Sequence, residues 1–332
     1  MVALYVTSLE SGEGKTAVCA GLGKLLLANG KSVGFFKPAI GEGGSNGDVA
    51  FVKNLFGLNE SVDIIAPVFR DEAGLRNGLK DAYAKATSGK DMVIIEGISG
   101  QRQASADVVA GLEARVIVIA GYSEELSAVI EESRRFGPRL MGVIINKVPK
   151  LRLERVRDEV PKRFGAAGIK VLGMLPEDRS LLALTVGELA SQIHGEVLRG
   201  AGKAAELVEN FMLGAHVFDN TMGVGVLYFG RKANKAAVLQ SERPDMQMAA
   251  METSTACLVL TGNTPLKEIV LNRAQEQDVP IILTPDNVPG VIAQLEEALS
   301  ASRFHQESKL PKLIEMMRDN LDMAAVQHGL GL

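Results

Sequence analysis

A chain of 332 residues, 46% of them hydrophobic, is long enough for two packed domains, each with its own core. A net charge of −4 and a pI near 5.7 argue against the concentrated basic face of a nucleic-acid binder. Two distant cysteines, Cys19 and Cys257, exclude a disulfide framework and point to a reducing compartment. The scattered His194, His216, His305 and His328 lack a second ligand at metal-site spacing and read as surface or packing residues.

Taken in chain order, the opening run Met1 to Ser8 is short and apolar and leads straight into a glycine loop. It lacks the basic flank and long apolar core of a signal peptide, and no stretch approaches the ~20 apolar residues of a membrane helix. A cytoplasmic protein is expected, with no nucleic-acid and no membrane partner. The first ~180 residues alternate short β-branched runs with helical patterns, the mark of a parallel sheet covered on both faces by helices. Strands are expected at Val2 to Thr7, Ser32 to Lys37, Met92 to Ile95, Val116 to Ala120, Met141 to Asn146 and Val171 to Leu175, with helices such as Thr16 to Ala28 and Arg152 to Phe164. The strands are continuous apolar runs, as in sheets buried on both faces, so functional groups belong at their C-terminal ends.

A boundary falls near Pro176 to Leu182, giving expected domains of 1–180 and 181–305 and a tail at 306–332. The second domain reads as a smaller α/β unit. It has a helix at Val186 to Ile193, a Gly-rich stretch from Gly214 to Gly230, and strands at Ala236 to Leu239, Ala256 to Leu260 and Ile281 to Leu283. Helices at Pro244 to Thr253, Pro265 to Gln277 and Val288 to Leu299 alternate with those strands. From Lys309 to Gln327 the chain is an amphipathic helix with Leu313, Ile314, Met317 and Leu321 at helical spacing, which either its own chain or a partner must cover.

The chemistry concentrates after the first strand. Ser11-Gly12-Glu13-Gly14-Lys15-Thr16 opens a helix, and glycines there let backbone N–H groups turn toward phosphate oxygens at a helix N-terminus. Lys15 is expected on the β- and γ-phosphates and Thr16 on Mg²⁺. The full P-loop pattern has glycine at position 9, where this chain has Leu9; an ordinary glycine turn is the alternative. The second expected strand ends in Lys37-Pro38, the third in Glu96-Gly97, and Asp48 opens a helix after the loop Gly41 to Gly47. Asp48 and Glu96 suit a shared Mg²⁺ with Thr16, although Asp48 equally suits a helix N-cap and Lys37 a surface position. Asn146-Lys147-Val148-Pro149 places a carboxamide where it can meet a purine edge or sit solvated in a turn. Pro149 stands where a guanine-reading Asp would follow, which favours adenine.

Together, Ser11 to Thr16, Lys37-Pro38, Asp48, Glu96-Gly97, Asn146 and Gly173-Met174-Leu175-Pro176 resemble the dethiobiotin synthetase-like branch of P-loop proteins, which includes the cobyrinic acid a,c-diamide synthases. The second half resembles a DRTGG domain. Ser241-Glu242-Arg243-Pro244-Asp245 and Leu260-Thr261-Gly262-Asn263 stand at its namesake positions, with Glu242 for the usual Asp and Asn263 for the last Gly. The two domains in this order resemble the N-terminal regulatory region of long-form phosphate acetyltransferases.

The resemblance implies an ATP- and Mg²⁺-binding regulator linked to acetyl-CoA and acetate metabolism, with at most slow hydrolysis. A small effector at the second domain and an acetyl-CoA-metabolising partner go with that reading, and apolar, Gly-rich stretches such as Met222 to Tyr228 suit a homodimer. The alternative is an ATP-dependent ligase or carboxylase in which Lys15 and Lys37 stabilise charge on a phosphorylated intermediate. Neither acetyl transfer nor glutamine hydrolysis is expected of this sequence alone: it ends at Leu332 without an acyltransferase domain, and Cys257 lies in an apolar run where a thiol is inert. A P-loop retained only as scaffold is the third reading. The basic residues Arg231, Lys232, Arg243 and Lys267 suit an anionic ligand or plain solvation.

Overall fold

The computed structural model describes the whole chain except residues 42–45, 99, 124–125, 215–221, 263 and 302–303. Most of the loop Gly41 to Gly47, together with His216 and Asn263, therefore lies outside the described residues. The chain divides into two units, one of residues 1–178 with 304–332 and one of residues 179–303.

The first unit starts with strand β1 (Val2–Ser8), the glycine turn and helix α1 (Lys15–Ala28). Strand β2 (Val33–Phe36) follows, then the short β3 (Ala39–Ile40), helices α2 (Asn46–Phe56) and α3 (Val62–Ile65), and β4 (Val68–Phe69), which pairs with β3. Helix α4 (Glu72–Ala86) is capped by Asp71, whose side chain accepts from the Gly74 amide at 2.7 Å. Beyond it run β5 (Met92–Glu96), α5 (Arg102–Gly111), β6 (Arg115–Gly121), α6 (Ser127–Arg134), β7 (Leu140–Val148), α7 (Leu153–Gly165) and β8 (Val171–Pro176).

Six strands form one parallel sheet in the order β2-β5-β1-β6-β7-β8. The strands are apolar through their middles because both faces are covered, with polar residues confined to their ends. Alternation then sorts the side chains: Ala3 and Tyr5 join Phe36, Val93, Ile95, Val118 and Ile145 in a core roofed by Leu79, Val108, Val129, Val160 and Phe164 of α4 to α7. Helix α1 packs on β1, β2 and β5 from the other side. The chain leaves β1 toward the β2 edge, returns through β5 and crosses to β6. The C-terminal end of β1 is therefore a topological switch point, where doubly wound sheets open a crevice.

The second unit contains helix α8 (Arg179–Leu182), β9 (Leu184–Thr185) and α9 (Val186–Gln192), the last held by a reciprocal capping box between Thr185 and Glu188. Next come β10 (Glu196–Arg199), β11 (Leu207–Val208), β12 (Asn210–Leu213) and α10 (Met222–Phe229), the last arising within the Gly-rich stretch. Strand β13 (Lys235–Gln240), helix α11 (Pro244–Met251), β14 (Thr255–Thr261), α12 (Glu268–Glu276), β15 (Ile281–Thr284) and α13 (Val288–Ala301) complete it. Strands β12 to β15 are parallel neighbours, with β10 antiparallel on the β15 edge. Helices α9 and α13 bury Leu189, Val291 and Leu295 on one face, together with Ile193 just past the end of α9; α10, α11 and α12 bury Phe229, Met246 and Val270 on the other.

The tail is two helices, α14 (Leu310–Asn320) and α15 (Met323–Gly329), broken at Leu321 and Asp322. Both belong to the first unit. Helix α14 lies on α1 and β8 and buries Leu313 and Met317 almost completely. Asp322 caps α15 through the Ala325 amide, its own amide donates to Leu172 O at 2.7 Å, and its carboxylate pairs with Lys170 at 3.0 Å. Gly173 is required where the tail crosses β8, because a Cβ there would lie 2.2 Å from the Asn320 carbonyl oxygen. The apolar stripe is thus covered by its own chain and supplies no argument for a partner. Met317→Ala is expected to lower the unfolding free energy of this unit by about 2–5 kcal/mol in urea melts followed by circular dichroism. A loss below about 0.5 kcal/mol would mean that the tail is not part of the core.

Candidate nucleotide site at the C-terminal edge of the first sheet

Because the six strands are parallel, their C-terminal ends share one edge. The turn after β1, Lys37 after β2, Glu96 on β5, Gly121 on β6 and Asn146 on β7 are all brought there. Within the turn, left-handed backbone occurs at Gly12 (φ 81°) and Gly14 (φ 97°), both glycines, and Leu9 needs none. Leu9 instead packs half-buried against the sheet core. The missing glycine at position 9 therefore puts no strain on the turn.

The turn is braced from β6 and β7. Asn146 Nδ2 donates to the Glu13 carbonyl at 2.8 Å, and Lys147 Nζ donates to the Gly12 carbonyl at 2.8 Å. Glu13 spans to the end of β6, its Oε1 accepting from the Gly121 amide at 3.1 Å. In a trans peptide the carbonyl and the next N–H point in opposite directions. Two carbonyls held toward β7 therefore turn the Glu13 and Gly14 N–H groups away from it. Gly14 also admits Asn146: a Cβ at position 14 would stand 2.3 Å from Asn146 Nδ2. Lys147 itself holds φ 58°, a left-handed conformation that costs free energy in a residue with a side chain.

Lys15 is buried and bends back to Ser8, donating to its Oγ at 2.8 Å. Burial pulls its pKa below the ordinary lysine value, and the charge of Glu96 opposes that pull. Ser11 lies exposed on the turn. Thr16 Oγ1 donates to Glu96 Oε1 at 3.1 Å. Lys37 Nζ reaches the same Glu96 oxygen at 2.9 Å and Asp48 Oδ2 at 3.1 Å. Burial pulls Lys37 down, but Glu96 and Asp48 together outweigh it and hold its pKa above the ordinary value. Asp48 lies in the first turn of α2, which begins at Asn46, so its carboxylate serves the ion pair.

Glu96 is fixed from behind. Tyr5 donates to Ser105 Oγ at 2.9 Å and accepts from the Ile98 amide at 3.2 Å, and the Gly97 amide donates to Val6 O at 2.8 Å. Glu96 is 4% exposed, and its second oxygen, Oε2, is buried without a hydrogen-bond partner. Among the described residues no group of three His, Cys, Asp or Glu side chains forms a metal cage. A hydroxyl and two carboxylates are instead the partial set that Mg²⁺ takes, the rest of its shell coming from phosphate and water. The residues fit such an ion, and the orphaned Oε2 is an acceptor left over for it.

Lys15, Thr16, Lys37, Asp48, Glu96 and Asn146, each singled out by its place at a strand end or a helix start, lie at this one edge. For Asn146 the sequence suggests a base edge as partner. The structure engages Asn146 Nδ2 with Glu13 and Oδ1 with the Lys147 amide at 2.9 Å, leaving one N–H and one lone pair for a ligand. Lys147, Gly121 and Ser8 join the site through contacts that the sequence pattern does not announce. The Asn-Lys pair at a strand end was the available signal for the first; nothing local marked the others. In the second unit Arg243 is held by Asp245 in a two-pronged pair at 3.0 and 2.7 Å, and Glu242 accepts from Thr264 at 2.9 Å.

A parallel sheet whose first strand enters a braced glycine turn before Lys-Thr, with an acid on the neighbouring strand, defines a P-loop NTPase fold. The chain belongs to the AAA domain family, whose sequence model matches residues 2–184, more than half of it. A DRTGG domain matches residues 188–298. Phosphate acetyltransferase of Nitratidesulfovibrio vulgaris is 25% identical over 96% of this chain and 50% of its own length. The ATP-dependent dethiobiotin synthetase BioD of Methanococcus vannielii is 26% identical over 53% of this chain and 94% of its own length. The chain thus spans about half of the phosphate acetyltransferase. Among solved structures, the MinD cell division protein of Aquifex aeolicus superposes with a TM-score of 0.39 at 15% identity, covering 55% of this chain and 84% of that one. No described helix is long and apolar enough to cross a membrane.

Both thiols are buried; burial pushes Cys257 up to about 12 and, with the charge of Glu96, raises Cys19 well above the ordinary value. Native protein at pH 8 is expected to release no thionitrobenzoate within minutes and two equivalents after denaturation. A fast-reacting native thiol would reopen a nucleophilic role for Cys257.

Proposed function

We propose that the first unit binds ATP with Mg²⁺ and that the chain is a cytoplasmic nucleotide-responsive regulator of the phosphate acetyltransferase N-terminal type. The observation that carries this reading is the convergence of Thr16, Asp48, Glu96 and Lys37 beside the braced turn. The N–H groups of residues 12–16 receive the phosphates, and the first turn of α1 adds favourable partial charge. Lys15 sits beneath the turn, where its ammonium meets the β- and γ-phosphates. Thr16, Asp48 and Glu96 hold the cation, which when bound neutralises phosphate charge. Asn146 lends its remaining N–H and lone pair to adenine. Hydrolysis is slow at most, and the link to acetyl-CoA and acetate metabolism rests on the match along 96% of the chain to a phosphate acetyltransferase. A small effector at the second unit, an acetyl-CoA-metabolising protein and a second copy through Met222 to Tyr228 are the associations that go with it.

The second reading is an ATP-dependent ligase. It is favoured by the match to nearly the whole of a dethiobiotin synthetase and by Lys37, a catalytic candidate with Lys15, lying against the acids. Calorimetry is expected to give ATP binding that requires Mg²⁺ and weakens at least tenfold in Lys15→Ala. Absence of binding at millimolar ATP would end both readings. Phosphate release measured with and without diaminononanoate and bicarbonate separates them: slow release indifferent to both supports the regulator, and substrate-dependent turnover supports the ligase.

A further inference from the structure

The acids assigned to the cation are already bridged by a side chain of the protein, which offsets one of their two charges. Lys37 Nζ lies 2.9 Å from Glu96 Oε1 and 3.1 Å from Asp48 Oδ2, and the Thr16 hydroxyl donates to that same Glu96 oxygen. The side chains of Lys37, Asp48 and Glu96 are 19%, 11% and 5% exposed, so water does little to screen them. Two carboxylates this close and this buried repel each other unless a cation lies between them. In the protein without ligand, the ammonium is that cation.

We infer that Lys37 is a built-in surrogate for the divalent ion: it occupies the Asp48–Glu96 pair until nucleotide phosphate draws it away, so that the metal site opens only with nucleotide. The inference rests on the Mg²⁺ reading above and adds a condition to it. A divalent ion and an ammonium cannot both be held against the same two acids, because their mutual repulsion is strongest where exposure is lowest. The backbone of Lys37 is anchored, its amide donating to Ile65 O at 2.9 Å with Pro38 next in the chain. Exchange therefore needs only the flexible four-carbon stem to change rotamer. The arriving phosphates offer the displaced ammonium a new anionic partner, while Glu96 Oε2, which accepts no hydrogen bond, is free to coordinate the ion.

The test is Mn²⁺ binding by the full chain, read from the loss of the free-ion electron paramagnetic resonance signal. Without nucleotide, wild type is expected to bind Mn²⁺ weakly. Lys37→Met, which removes the ammonium and keeps the stem, should bind at least tenfold more tightly. Lys37→Arg, which keeps the charge, should stay within about threefold of wild type. Adding Glu96→Gln to Lys37→Met should abolish the gain, and circular dichroism melts verify that each variant is folded. A Lys37→Met affinity within twofold of wild type would overturn the surrogate role even where Mn²⁺ binds with ATP. If wild type, dialysed to equilibrium against Mn²⁺ and saturating ATP, holds no Mn²⁺ in excess of the bath, the cation reading itself fails and this inference with it.

Discussion

Two peptide carbonyls, those of Gly12 and Glu13, are held toward β7 by Lys147 and Asn146, and the rest of the site depends on that restraint. A glycine-rich turn left alone samples many conformations, and most of them scatter its N–H groups. Fixing two carbonyls from outside fixes the N–H groups of the same peptides on the opposite side. Those peptides run into the first turn of α1, whose leading N–H groups have no intrahelical acceptor. Glu13 adds a third tie, to Gly121, so the turn is pinned to the ends of two different strands. The parallel sheet is what allows this, because it brings β6 and β7 to the same edge as the turn.

The second constraint is electrostatic. Burying Glu96 beside Asp48 costs free energy that only a neighbouring positive charge can offset. Lys37 provides that charge, and Tyr5 with Ser105 holds the backbone behind Glu96 so that the acid cannot retreat. The same burial that makes the acids costly makes them attractive to a divalent ion. One pair of carboxylates can thus serve an ion pair at one stage and a metal at another.

Much of this was legible in the sequence. The six long strands stand out because each is an unbroken apolar run. The site residues stand out because each follows such a run or opens the helix after it: Lys15 and Thr16, Lys37, Glu96, Asn146. What was not legible has physical reasons. Helix α4 carries Leu75, Leu79 and Tyr83 at four-residue spacing, but Gly74 and Gly78 inside it weaken the pattern. The two-residue strands β3, β4, β9 and β11 are too short to leave any periodicity. The tail showed its apolar stripe but not its cover, since α1 and β8 lie far from it in sequence. The Lys37 ion pairs join positions 37, 48 and 96, and no local pattern encodes that proximity. Lys147 shows only as a lysine beside an asparagine; its left-handed backbone and its reach to Gly12 exist only once the sheet has formed.

If the braced turn presents its N–H groups to nucleotide phosphate, the amide chemical shifts of the full chain will show it as Mg²⁺ and ATP are added. The largest changes are expected on the amides of Gly12, Glu13, Gly14, Lys15 and Thr16. Shifts confined to the second unit, with those five amides unmoved at saturating nucleotide, would mean that phosphate is bound elsewhere.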